Sequence, residues 1–267
     1  MTCLAVDATR SFLLSGSKDS SIQVWSIPGI LSFADPGTGE TAQASRGSPL
    51  RHLSTHRAAI TSIVTGHSHT NADFAVSAAE DKTCLVWDYR TGDVLHTFLI
   101  PEVSLCVALD PADRGFYVGL ADGSVQFVNF HKAGSSIHLL YDSNHFDTPT
   151  QVAESDRWRS ATSVGAALSI SVSYDGTTVL TGHDSGKVLS WEIDRPPSEI
   201  SDLGQPVTNL TIVPPTGFPN EREQQIFLRV PGSRSSGMHD IPLNSYTMRS
   251  PITVSLLFTH FSSAFLS

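Results

Sequence analysis

The chain has 267 residues, 40% hydrophobic and 16% charged, too apolar for a disordered tail and too charge-poor for a coiled coil. Its 17 Lys and Arg against 26 Asp and Glu leave a net charge of -9, which argues against a surface built mainly to neutralise phosphates. Three cysteines, Cys3, Cys84 and Cys106, form no C-x-x-C pair and suit a reducing compartment, so a globular cytosolic or nuclear protein is expected. Met1 to Arg10 lacks the basic and apolar regions of a secretory signal, and the apolar tail Ile252 to Ser267 falls short of the roughly 20 residues of a membrane helix.

Strand-turn-strand units recur along the chain. The first runs through Leu4 and Val6, Phe12 to Gly16, and Lys18 to Trp25. The second runs through Ile60 to Val64, Phe74 to Ser77, and Glu80 to Asp88. A third follows through Leu105 to Pro111, Gly115 to Val118 and Ala121 to Val128, with Val128 where the first two units have tryptophan. A fourth runs through Leu168 to Val172, the turn Tyr174 to Thr177, Val179 to Gly182 and Lys187 to Trp191, and a fifth begins at Val207 and fades after Phe227. Period-two alternation bounded by Asp-Gly, Asp-Ser and Gly-x turns predicts short strands throughout, with no competing helix.

Trp25 and Trp87 stand 62 residues apart, Trp87 and Val128 41, and Val128 and Trp191 63. Against a repeat of about 40 to 45 residues, two units carry insertions of about 20. Residues 28–49, rich in Gly, Ser, Thr and Ala, and residues 131–157, poor in periodic apolar positions, read as exposed loops. Residues 1–230 are expected to hold the repeats. Residues 231–267, whose only charged groups are Arg234, Asp240 and Arg249, read as an atypical tail, either disordered or foreign to the repeat pattern.

These residues resemble the WD40-repeat β-propeller family, whose four-stranded blades surround a central channel. Asp19 and Trp25 share a six-residue separation with Asp81 and Trp87, and Ser15 and Ser77 each stand ten residues before their tryptophan. His56 falls where the family places a Gly-His pair, with Thr55 in place of the glycine. The resemblance implies an all-β fold in which His56, Ser77, Asp81 and Trp87 make a buried hydrogen-bond network pinning one blade. The fourth unit keeps Trp191 but has Ser185 and Thr181 at the Asp and Ser positions, so the full network is not expected there. Four units and part of a fifth, against about seven blades in a complete ring, predict an incomplete ring with further sequence upstream. Ser77, His56 and Asp81 could also suggest a hydrolytic triad, but they sit at repeat positions and no G-x-S-x-G elbow accompanies them.

Leu53 to Thr61, Gly66 to Ala72, Glu80 to Tyr89 and Leu109 to Arg114 are more distinctive, and resemble the WD-repeat subunit of the fungal complex that matures the pre-60S particle. That resemblance covers about residues 1 to 215. It implies a non-catalytic nuclear scaffold, of nucleoplasm and nucleolus, supporting removal of an internal transcribed spacer. Its implied partners are a helical-repeat scaffold subunit and a dynein-like AAA ATPase. The alternative is another intracellular WD40 adaptor, such as a ubiquitin-ligase substrate receptor.

No catalytic residue, cofactor, metal site or membrane association is expected. His67 and His69, with His52 and His56 nearby, could offer imidazoles to zinc, but no carboxylate or thiolate completes a set. Arg157-Trp158-Arg159 is the one aromatic-basic cluster, open to three readings: an RNA contact, a protein hot spot, or a loop stem packed on a blade edge.

Overall fold

The computed structural model describes residues 1–31, 48–67, 73–131, 140, 148–192, 195–213 and 253–255. Blade I holds β1 (Cys3–Val6), β2 (Phe12–Gly16) and β3 (Ile22–Ser26), then a single helical turn, α1 (Ile27–Leu31), then β4 (Arg51–Leu53) on the outer edge. Blade II holds β5 (Ile60–Thr65), β6 (Phe74–Ala79), β7 (Thr83–Asp88) and β8 (Val94–Leu99). Blade III begins with β9 (Ser104–Leu109), β10 (Gly115–Leu120) and β11 (Val125–Asn129). Its chain then returns to blade II, where β12 (Thr150–Gln151) pairs parallel with β8, and comes back as β13 (Arg157–Trp158) on the edge of β11. Blade IV holds β14 (Ala167–Val172), β15 (Thr178–His183), β16 (Lys187–Glu192) and β17 (Ser198–Asp202), and β18 (Thr211–Val213) pairs with β19 (Thr253–Ser255) beyond it.

Two features depart from the sequence expectations. The stretch 28–49 starts inside α1, whose exposed Ile30 and Leu31 follow directly on β3. The stretch 131–157 is not loop throughout, because β12 and the first residue of β13 lie in it; a two-residue strand carries too short a pattern to show period two. Most of the atypical tail, and residues 32–47 of the first insertion, lie outside the described residues.

Each blade has a short apolar run closed by a tight left-handed turn, of Asx type in blades I to III. After Asp19, Asp81, Asp122 and Ser185 the next residue takes positive φ: 67° at Ser20, 62° at Lys82, 82° at Gly123 and 94° at Gly186. Asp19, Asp81 and Asp122 hold this geometry by accepting the backbone N–H and hydroxyl of Ser21, Thr83 and Ser124 at 2.6 to 3.1 Å.

Blades stack face to face, so β6, β10 and β15 are buried along their whole length. Alternate residues therefore serve two cores. Phe74, Val76 and Ala78 join Phe98, Phe116, Val118, Val128 and Phe130 between blades II and III, while Ala75 and Ala79 join Leu14, Val24, Ile60 and Trp87 between blades I and II. Tyr117 and Val125 meet Val179, Leu189 and Trp191 between blades III and IV. Inner strands of neighbouring blades are linked by hydroxyls instead of ladders: Thr65 Oγ1 donates to the Val6 carbonyl at 3.0 Å, and Thr61 Oγ1 to that of Ser104 at 2.8 Å.

Candidate functional site

A buried polar cluster lies in blade II. Trp87 Nε1–H donates to Ser77 Oγ at 2.7 Å, and Ser77 Oγ lies 2.7 Å from His56 Nε2. His56 Nδ1 faces Thr83 Oγ1 at 3.0 Å and Asp81 Oδ2 at 3.3 Å. The carboxylate only accepts, so Nδ1 carries the proton, Nε2 accepts the Ser77 hydroxyl, and Ser77 Oγ is left to accept the indole. The result is a one-way relay from tryptophan to aspartate.

Burial pushes the His56 imidazole below its ordinary pKa, against the pull of Asp81. Burial also pushes the Asp81 carboxyl up, but the Arg57 amide, Thr83 and His56 together hold it below the usual carboxylate range. A neutral histidine and an ionised aspartate are the states the relay requires.

Ser77, His56 and Asp81 thus have the connectivity of a hydrolytic triad without its chemistry. Ser77 is 0% exposed, and its oxygen lone pair receives the indole N–H, so no acyl group can reach it. The arrangement holds β6, β7 and the loop before β5 in one register.

In blade IV, Trp191 Nε1–H donates to Thr181 Oγ1 at 2.8 Å, and Thr181 bonds His183 Nε2 at 2.8 Å. His183 Nδ1 reaches the Gly165 carbonyl at 3.1 Å, and Ser185 Oγ donates to the Val164 carbonyl at 2.6 Å. A network therefore forms where the Ser185 and Thr181 departures argued against one. Its histidine comes from β15 itself, two residues past Thr181 on the same strand face. That i, i+2 spacing was the available sequence signal. Blade I shows the shortest version: Trp25 Nε1–H donates to Ser15 Oγ at 3.0 Å, and Asp19 closes the turn through Ser21.

The 157–159 cluster is split by the fold. Arg157 turns inward, its side chain 7% exposed, and pairs with Asp122 and Ser124. Trp158 lies against Tyr117 with ring centroids 5.6 Å apart and stacks on Trp191 at 6.5 Å. Arg159 faces solvent beside Glu154 and lines, with Trp158, Arg195 and Pro196, a surface groove of about 510 Å³.

The inner strands converge on a central opening of about 740 Å³ lined by apolar and hydroxyl side chains such as Val6, Ile63, Val107 and Ser171, with His67 at its rim. His67 Nδ1–H donates to Asp113 of the β9–β10 turn at 2.7 Å. His52 sits on β4, His56 is committed to blade II, and His69 lies outside the described residues. Among the described residues, no three His, Cys, Asp or Glu converge as metal ligands.

Four antiparallel blades, three closed by an aspartate turn and three pinned by a tryptophan on a hydroxyl, define an all-β fold built of WD40-type repeats. The sequence model of the WD domain, G-beta repeat, matches residues 1–26 and 47–88. The chain is similar to the pre-rRNA-processing protein IPI3 of Candida albicans, 23% identical over 206 residues, covering 72% of this chain and 40% of the relative. It is also similar to Protein ROOT INITIATION DEFECTIVE 3 of Arabidopsis thaliana, 28% identical over 234 residues (85% of this chain, 48% of the relative). WD repeat-containing protein 18 of Homo sapiens is 27% identical over 219 residues, 80% of this chain and 45% of that protein. The chain thus spans less than half the length of each of these relatives.

Proposed function

We propose that this chain acts as a non-catalytic WD40 scaffold in large ribosomal subunit biogenesis, supporting pre-rRNA internal transcribed spacer processing on the pre-60S particle. The observation that carries this reading is similarity to proteins named for pre-rRNA processing that extends across the blades and is not confined to the tryptophan motif. The geometry agrees with a scaffold, since the serine–histidine–aspartate set of blade II is sealed inside the blade. The proposed setting is nuclear, in nucleoplasm and nucleolus, with a helical-repeat scaffold subunit and a dynein-like AAA ATPase as partners. Of the 157–159 cluster, Arg159 with the edge of Trp158 is the proposed partner or RNA contact, because the Arg157 guanidinium is already taken.

The test is affinity purification of the tagged protein, in its native sequence context, from nuclear extract, with mass spectrometry and RNA sequencing. Recovery of large-subunit precursors, spacer-containing RNA and a large AAA ATPase is the expected result. Recovery of a ubiquitin ligase without ribosomal material would replace this reading with the adaptor one.

A further inference from the structure

Blade III lacks the tryptophan network. Val128 occupies the tryptophan position, and Val118, ten residues before it, occupies the place of Ser15, Ser77 and Thr181. The turn aspartate remains. Asp122 Oδ1 accepts Ser124 N–H at 3.1 Å and Ser124 Oγ–H at 2.6 Å, as Asp81 Oδ1 does with Thr83 at 3.0 and 2.6 Å.

The second carboxylate oxygen distinguishes the two blades. In blade II, Asp81 Oδ2 faces the His56 imidazole and accepts the Arg57 amide. In blade III, Asp122 Oδ2 accepts Arg157, whose Nε–H also donates to Ser124 Oγ at 2.8 Å. Arg157 opens β13, at the end of the insertion and 35 residues after Asp122.

The residues leading to Arg157 make their own attachments. Thr150 Oγ1 bonds the buried His96 Nε2 of β8 at 2.8 Å, and Val152 N–H donates to the Leu99 carbonyl at 3.1 Å, both on blade II. Val152 packs on the core shared by blades II and III, and the Ala153 carbonyl accepts Gln126 Nε2–H of β11 at 3.1 Å. After Arg157, Trp158 pairs with Val125 of β11 and stacks on Trp191 of blade IV. Nine consecutive residues, 150–158, touch three successive blades in order.

We propose that segment 150–158 is a strap that stands in for the missing network of blade III, with Arg157 supplying to Asp122 the donor that His56 supplies to Asp81. The strap covers the outer edges of β8 and β11 together, so lifting it uncovers two blade edges in one step. A nearly buried guanidinium that loses its carboxylate is left as an uncompensated charge, which makes Arg157 the anchor of the strap.

Hydrogen exchange on the whole protein tests this with Arg157→Ala, Arg157→Lys and, as a surface control outside the strap, Arg195→Ala. Arg157→Ala is expected to speed exchange at Val152 and at β11 amides by at least about ten-fold while leaving blade I unchanged, as for a local opening unit. Arg157→Lys keeps the charge without the fork and falls between, and Arg195→Ala matches the parent. Should Arg157→Ala not fold, Asp122→Asn gives the same readout with a milder change. Acceleration confined to residues next to the substitution, with Val152 unaffected, would overturn the strap; so would equal acceleration in all four blades.

Discussion

Ser77 Oγ accepts the Trp87 indole N–H at 2.7 Å while its own proton points to His56 Nε2, so one buried hydroxyl joins a central strand, its neighbour and the preceding loop. Its loss has a definite cost. Trp87→Ala should destabilise by about 3–5 kcal/mol, as for other large buried aromatics. Ser77→Ala, which orphans two buried polar groups without opening a large cavity, should cost about 1–3 kcal/mol. Urea denaturation measures both; stability equal to the parent for Trp87→Ala would refute its place in the core.

Acid should weaken the fold in the range where histidine titrates. His56 and His183 are held below their ordinary pKa by burial, so the unfolded chain binds their protons more readily. Their contribution is complete above about pH 6.5, the unfolded histidine value, and is lost as pH falls below it. His67 works in the opposite sense: the Asp113 hydrogen bond raises its pKa, so its contribution is present in acid and lost as pH rises through the folded value. Melting temperature should fall from pH 7.5 to pH 5.5, within reach of the ordinary histidine pKa. The fall should be steeper in His67→Gln; a parallel or shallower profile in that variant would contradict the His67 assignment.

The left-handed turn position offers a gain and a loss. Ser20, at φ 67°, bears a Cβ where glycine fits freely, so Ser20→Gly should be neutral or stabilising by up to about 1 kcal/mol. Gly123, at φ 82°, has the Gly165 carbonyl where a Cβ would go, so Gly123→Ala should cost about 1–3 kcal/mol. Thermal denaturation of the pair separates turn strain from a general effect of glycine content.

Thiol reactivity should divide the three cysteines. Burial pushes Cys84 and Cys106 up to about 12, which leaves almost no thiolate at neutral pH. Cys3 is also raised, by burial above all, but stays partly accessible on β1. Brief alkylation of the native protein, read by mass spectrometry, should label Cys3 first and the other two only in denaturant. Early labelling of Cys84 would mean that blade II opens readily.

Much of the blade architecture was legible because its determinants are close together. Trp87 and Ser77, like Trp191 and Thr181, are ten residues apart on adjacent strands of a hairpin, and Asp81 acts on Thr83 two residues on. A fixed spacing records such contacts directly. His183 escaped notice because the pattern places its histidine before the inner strand, whereas blade IV takes it from β15. Arg157 invited an interaction reading because an arginine beside a tryptophan looks the same in sequence whether it faces solvent or a carboxylate.

The sequence by itself determined the strand periodicity, the Asx-closed turns and the tryptophan–hydroxyl pairs, since each depends on residues within one hairpin. Only the tertiary structure decided that the second insertion runs across blade II before returning to blade III. No spacing records that path: His96 and Thr150 meet across 54 residues, and Asp122 and Arg157 across 35. Such contacts form only after the blades have stacked, so packing, not local pattern, selects them.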